Sequence, residues 1–272
     1  SPYWVSYPEI VKLSDATPVF IETNSNTDFK ITGEMLTKSI TSKTKMLLLN
    51  SPSNPSGFVY NEKDLKDIGL VLRKYPNLII ASDDIYEHII FNNKKFTNIL
   101  NVCPELYDQT VVLNGVSKAY AMTGWRIGYA AGNEKIIGAM KKIQSQSTSC
   151  TCSISQAAAK SALDNCNDEV KKMVEQYQIR SEFLHTELNK IDGIKYKKPE
   201  GSFYAFVDVN GLINKIDNID DDFDLAEYFL KNANVAVVPG TAFGSKNHIR
   251  ISFATSLENL KLAIERIKNL LS

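Results

Sequence analysis

Short apolar runs alternate with longer stretches of helical period through the first part of the chain, and that alternation restricts the fold more than any other feature. Residues 45–50, 78–82, 110–113 and 126–131 are compact apolar stretches that end at polar residues or glycine. Between them, Leu65, Ile68 and Leu72 are spaced to bury one face of a helix over residues 62–74, and residues 135–144 repeat the pattern. This predicts an α/β architecture with a mostly parallel central sheet, because parallel neighbours need crossover helices. Ligands of such sheets bind beyond the carboxyl ends of the strands, so the residues after each run are where chemistry is sought.

A long helical pattern follows at residues 168–191, carried by Val170, Met173, Tyr177, Phe183, Leu184 and Leu188. After Asp192 and Gly193 the elements shorten. Strands are expected at 203–209, 235–238 and 248–253, with helices at 224–231 and from Leu257 onward. Residues 1–167 therefore read as part of a large domain, 168–192 as a connecting helix and 193–272 as a smaller α+β domain. The run Asp220, Asp221 and Asp222, with Asp224 behind it, reads as a solvated loop and helix N-cap rather than a metal site.

Lysine plus arginine equals aspartate plus glutamate, 31 each, so no overall field selects nucleic acid or an anionic membrane. A small-molecule substrate is expected instead. No apolar run approaches the length of a bilayer span and no leader opens the chain, which points to a cytoplasmic protein. Cys103, Cys150, Cys152 and Cys166 form no CxxC pair and the three histidines no HExxH, so reduced thiols and no metal are expected. A nucleotide-binding α/β enzyme lacks support, since neither GxGxxG nor GxxxxGK[ST] occurs.

The most informative segment is SKAYAMTGWRIG, residues 117–128. Lys118 follows an apolar run and Asn114-Gly115; a lysine so placed, once desolvated, is suited to Schiff-base formation, although a single lysine is more often a surface charge. Ser117 and Arg126 bracket it, and a hydroxyl with a guanidinium can bind phosphate. An anion site beside a reactive lysine implies a phosphorylated carbonyl cofactor.

This segment resembles the pyridoxal-phosphate attachment signature of class I aminotransferases. The resemblance implies that Lys118 carries pyridoxal 5′-phosphate as a Schiff base while Ser117 and Arg126 hold its phosphate. NSPSNPSG at residues 50–57 resembles that family's NxPxNPTG loop, with Ser56 in place of threonine. Asn54 would then contact the cofactor's ring hydroxyl and the substrate carboxylate, where proline content alone says only a turn. Ser82-Asp83-Asp84-Ile85-Tyr86 is similar to the family's DExY element. Asp83 would face the pyridine nitrogen and Tyr86 the ring oxygen, with Asp84 replacing glutamate outside the inferred contacts. On its own, the Asp-Asp pair could equally bind magnesium. HIRISFA at residues 248–254 resembles a late strand whose arginine, here Arg250, grips the substrate α-carboxylate; in isolation it would be an edge-strand charge. Trp4 matches the aromatic residue that stacks on the cofactor ring. Residues 199–204 and 238–244 also look like family segments and are assigned only to structure and closure.

The resemblance spans essentially the whole chain and implies the aspartate aminotransferase fold, fold type I, with a smaller C-terminal domain. It implies transamination of aspartate with 2-oxoglutarate in a homodimer, with amino and 2-oxo acids as the small-molecule partners. A prephenate or aromatic aminotransferase, a lyase of the same fold and a catalytically silent domain are the alternatives. Family members are longer at the N-terminus, so the chain is expected to lack a phosphate-binding helix start and the residues that read the substrate side chain.

Overall fold

The computed structural model describes all 272 residues, Ser1–Ser272. Its strands are β1 (Met46–Asn50), β2 (Ile79–Asp83), β3 (Thr110–Gly115), β4 (Gly128–Gly132), β5 (Tyr204–Asp208), β6 (Val238–Pro239) and β7 (His248–Ser252). The helices are α1 (Ser6–Leu13), α2 (Gly33–Ser39), α3 (Glu62–Leu72), α4 (Ile99–Val102), α5 (Glu134–Ser147), α6 (Ser153–Asn165), α7 (Asn167–Leu188), α8 (Asn210–Ile213), α9 (Asp222–Ala233) and α10 (Leu257–Leu271). They gather into two compact units, one of residues 31–52 and 59–174, the other of residues 1–30, 53–58 and 175–272.

In the first unit the strands lie in the order β1-β2-β3-β4. β1, β2 and β3 run parallel and β4 returns antiparallel to β3, which is the mostly parallel sheet that the alternation predicts. Ile80 in β2 and Val111 in β3 are fully enclosed, as strands covered on both faces require. α3 begins at a capping box in which Asn61 and Asp64 exchange side-chain and backbone bonds, and it buries Leu65, Ile68, Val71 and Leu72. Three parallel strands thus end on one edge of the sheet, at Asn50, Asp83 and Gly115.

Two sequence expectations are corrected here. The strand expected at 126–131 starts later, at Gly128, because Arg126 takes a left-handed φ of 56° and closes the 3-10 turn Thr123–Trp125. α5 forms as expected yet buries none of its residues, and Met140 and Ile143 remain exposed.

In the second unit the order is β5-β7-β6, all antiparallel, with Phe206 opposite Arg250 and Tyr204 opposite Ser252. The strand expected at 235–238 is instead Val238–Pro239: residues 235–237 lie outside the ladder, and the 3-10 turn from Gly240 ends it. α9 buries Leu225, Phe229 and Ala233 beneath this sheet's connections, and α10 buries Leu260, Ile264 and Ile267. The N-terminal residues join this unit through bonds such as Tyr3 N–H to Phe243 O at 3.0 Å. The division between the units falls inside α7, after Val174. No helix is long and apolar enough to cross a membrane.

Candidate active site

The edge where β1, β2 and β3 end carries the polar residues the sequence singles out in this unit. Asn50 donates from Nδ2 to the Asp83 carbonyl at 2.9 Å, and Ser51 N–H reaches the same oxygen at 3.3 Å. One Asp83 carboxylate oxygen accepts from Ile85 N–H at 3.3 Å, an Asx turn that fixes the side chain just past the strand. Tyr86 follows and is only 2% exposed.

Asp84 lies outside the contacts the sequence assigned, yet it is 3% exposed and forms the anchor of this turn. Its carboxyl accepts from Ser82 Oγ at 2.8 Å and from Asn98 Nδ2 at 2.5 Å, while its N–H bonds Leu113 O at 2.9 Å. Burial pushes this carboxyl up to about 7; the Ser82 and Asn98 bonds pull it down, and the nearby charges of Glu87 and Asp83 add to the rise.

On the neighbouring strand β3, Asn114 bonds Glu87 Oε1 at 2.6 Å and accepts from Gly115 N–H at 2.7 Å. Gly115 is obligatory, because a Cβ there would lie 2.8 Å from Ile127 O and 3.2 Å from Ile85 Cδ1. The turn that follows closes on itself. Met122 N–H bonds Val116 O at 3.3 Å and Ala121 N–H bonds Lys118 O at 3.1 Å. Val116, Ile127 and Ala159 form an apolar floor, with Tyr120 and Met122 against it. Ser117 and Lys118 are therefore held half-buried on a rigid loop. Arg126 is exposed, and its Nη1 donates to Thr123 O at 2.8 Å within its own turn.

The other expected residues belong to the second unit. Asn54 is 6% exposed, and its Oδ1 accepts from Arg250 Nη1 at 3.0 Å, so two residues 196 positions apart in sequence meet directly. The loop bearing Asn54 is shaped by Gly57, whose φ is +72°. Gly57 O accepts from Glu200 N–H at 3.0 Å and Gly201 N–H at 2.9 Å, and a Cβ at Gly57 would sit 2.5 Å from Pro199 Cβ. The Arg250 guanidinium lies 4.4 Å from the Tyr204 ring centroid and 4.7 Å from that of Phe243. Flanked by two aromatic faces, it is stiff and poorly hydrated, which favours pairing with a carboxylate. Tyr204 and Phe243 fall in segments that sequence reasoning assigned only to structure and closure, and nothing local in sequence marks either as a neighbour of Arg250. Trp4 is 38% exposed and packs edge-on to Tyr7 at 5.3 Å. No group of three or more His, Cys, Asp or Glu side chains is arranged to hold a metal ion.

Comparison with known proteins accords with these motifs. The chain matches the model for aminotransferase class I and II over residues 1–267. It is 52% identical to the aspartate/prephenate aminotransferase of Nitrosomonas europaea, an alignment covering 100% of this chain and 70% of that protein. It is 45% identical to the aspartate aminotransferase of Rhizobium meliloti, covering 98% of this chain and 66% of the relative. The crystal structure of the Rhizobium meliloti aspartate aminotransferase superimposes with a TM-score of 0.96 at 44% identity, over 100% of this chain and 69% of that one. An aromatic aminotransferase from Pyrococcus horikoshii gives 0.92 at 36% identity, over 100% and 71%. The fold is thus that of the aspartate aminotransferases.

Proposed function

The chain belongs to the class I and II aminotransferases, and on that premise we propose that it transfers the amino group of aspartate to 2-oxoglutarate, giving oxaloacetate and glutamate. The observation that carries the reading is the loop after β3, which holds Lys118 half-buried one strand away from Asp83. The relatives named for aspartate support the substrate. The Nitrosomonas europaea relative's name couples aspartate with prephenate, which makes prephenate the second reading.

Enzymes of this family depend on pyridoxal 5′-phosphate, which when bound supplies an electron sink for an amino acid losing its Cα proton. The donor set at the strand ends fits that group: an amine for its carbonyl, the Ser117 hydroxyl and Arg126 guanidinium for its phosphate, and the turn-fixed Asp83 carboxylate for a cationic ring nitrogen. In the family's pattern Tyr86 would donate to the ring oxygen, and Trp4 would stack on the ring. Lys118 Nζ would accept the proton leaving the substrate Cα and return it as a general acid. Arg250, flanked by Tyr204 and Phe243 and bonded to Asn54, would take the α-carboxylate together with Asn54.

A second copy of the chain completes the assembly in this reading. The exposed Trp125, Tyr129, Met140, Ile143 and Ile154 are apolar surface of the kind that association covers. The cytoplasm is the compartment, consistent with four free cysteines. The test is oxaloacetate release from aspartate and 2-oxoglutarate by the parent and by Lys118→Ala, with prephenate and aromatic oxo acids as alternative acceptors. An unchanged rate in Lys118→Ala would overturn the reading, and a strong preference for prephenate would replace the acceptor. Light scattering reads the oligomeric state.

A further inference from the structure

Asp222 has no exposed surface, although it stands in a run of aspartates at the first turn of α9. A carboxylate stripped of water is costly unless hydrogen bonds replace the lost hydration. Three do so here. One oxygen accepts from Thr241 N–H at 2.7 Å; the other accepts from Thr241 Oγ1 at 2.8 Å and from Asn247 N–H at 3.2 Å. Capping α9 does not explain them, because Asp221 already accepts from Phe223 N–H at 2.8 Å and Asp224 N–H at 3.0 Å.

The donors to Asp222 are the two ends of one loop. Thr241 lies in the 3-10 turn Gly240–Phe243, and Asn247 is the residue before β7. Between them the chain is tightly wound, with Gly244 N–H on Thr241 O at 2.9 Å and Ser245 N–H on Gly240 O at 3.0 Å. At Gly240 even a methyl group would lie 2.6 Å from His248 Cβ. Two residues beyond Thr241 is Phe243, whose ring lies against the Arg250 guanidinium; three beyond Asn247, on β7, is Arg250 itself.

We propose that Asp222 is a positioning residue for carboxylate recognition: by pinning both ends of the 241–247 loop, it sets Phe243 over one face of Arg250 and fixes the strand from which Arg250 projects. This rests on the reading of Arg250 as the α-carboxylate clamp. A single buried anion coordinates the aromatic wall and the strand start of that clamp. An apolar residue of similar size would fill the space but leave three donors unsatisfied.

The experiment uses the cofactor-loaded protein. Asp222→Asn keeps the size of the side chain and the acceptor for Thr241 Oγ1 and Asn247, but turns an NH2 toward Thr241 N–H. KM for aspartate and for 2-oxoglutarate is expected to rise about tenfold, the effect of one lost hydrogen bond to a charged acceptor. Turnover number should change by less than about threefold, and the dissociation constant of maleate, read by calorimetry, should rise with KM. In an Arg250→Met background, Asp222→Asn should add less than about twofold, because the residue being positioned is gone.

Unchanged KM and maleate affinity in Arg250→Met would refute the clamp reading itself. A large effect of Arg250→Met with none from Asp222→Asn, or full multiplicativity of the two, would overturn the role of Asp222 while leaving the clamp intact. Should Asp222→Asn fail to fold, Thr241→Val removes only the hydroxyl bond. It is expected to raise KM about threefold, with recovery in Thr241→Ser, and a Thr241→Val protein with parental KM would equally overturn the proposal.

Discussion

Replacing Asp84 with asparagine should remove a pH dependence of stability that the parent carries between about pH 4 and pH 7. The Asp84 carboxyl, raised by burial from 3.8 to about 7, holds its proton more tightly in the folded chain than in the unfolded one. Its stabilising contribution is complete below 3.8 and is lost as pH rises through about 7, where the folded chain must carry a buried charge. Over that interval the linkage amounts to about 4 kcal/mol, at about 1.36 kcal/mol for each pH unit between the two values. That is a large share of the ~5–15 kcal/mol that holds a domain folded. Asparagine mimics the protonated acid: its oxygen can accept from Asn98 Nδ2 and its amide can donate to Ser82 Oγ, which then acts as acceptor. Urea unfolding of both proteins should coincide near pH 4 and diverge by pH 8. There the variant should be the more stable, with its midpoint higher by about 1–2 M. Parallel midpoints across pH 4–8 would refute the assignment of a shifted carboxyl to this position, and a parent gaining stability with rising pH relative to the variant would invert its sign.

Lys118→Ala should lower amino transfer by at least about 10²–10⁴-fold, the usual scale of general acid–base loss, and should abolish the absorbance change that accompanies pyridoxal phosphate binding to the parent. Arg250→Lys, which keeps the charge but not the planar fork, should raise KM for both substrates by about tenfold or more in steady-state kinetics. Gly57→Ala should weaken the Asn54 loop, since φ is +72° and the new methyl would meet Pro199 Cβ; raised KM with a lowered melting temperature is expected. Phe229→Ala should cost about 3–5 kcal/mol of stability in chemical denaturation, because the ring, on the buried face of α9, is fully enclosed.

What the chain discloses before it is folded follows from how far apart the interacting groups lie. β1, β2 and β3 could be placed because each is a local apolar run, and the residues after them inherit their positions from the parallel sheet. The positions of Lys118, Asp83 and Asn54 were legible for the same reason: each sits within a few residues of a strand end. Periodicity named α5 correctly but promised a buried face. Burial depends on what lies opposite a helix, and hydrophobic spacing carries no record of that.

The burial of Asp222 and of Asp84 escapes the sequence for one reason. Three consecutive aspartates average to a solvated loop on any local scale, and Asp221 obeys that average by capping α9. Asp222 departs from it because Thr241 and Asn247, 19 and 25 positions away, present three donors that no local pattern announces. Asp84 is likewise satisfied by Asn98, 14 positions on, across a turn whose closure depends on the packed sheet. The Tyr204–Arg250–Phe243 stack requires the β5–β7 register and the 3-10 turn before β7 together. Motifs therefore single out the groups proposed to meet a ligand, because those are read by their own neighbours in sequence. The groups that hold them in place are found only where distant segments pack. Substitutions such as Asp222→Asn, far from any motif, are accordingly where the largest unforeseen effects on substrate affinity are expected.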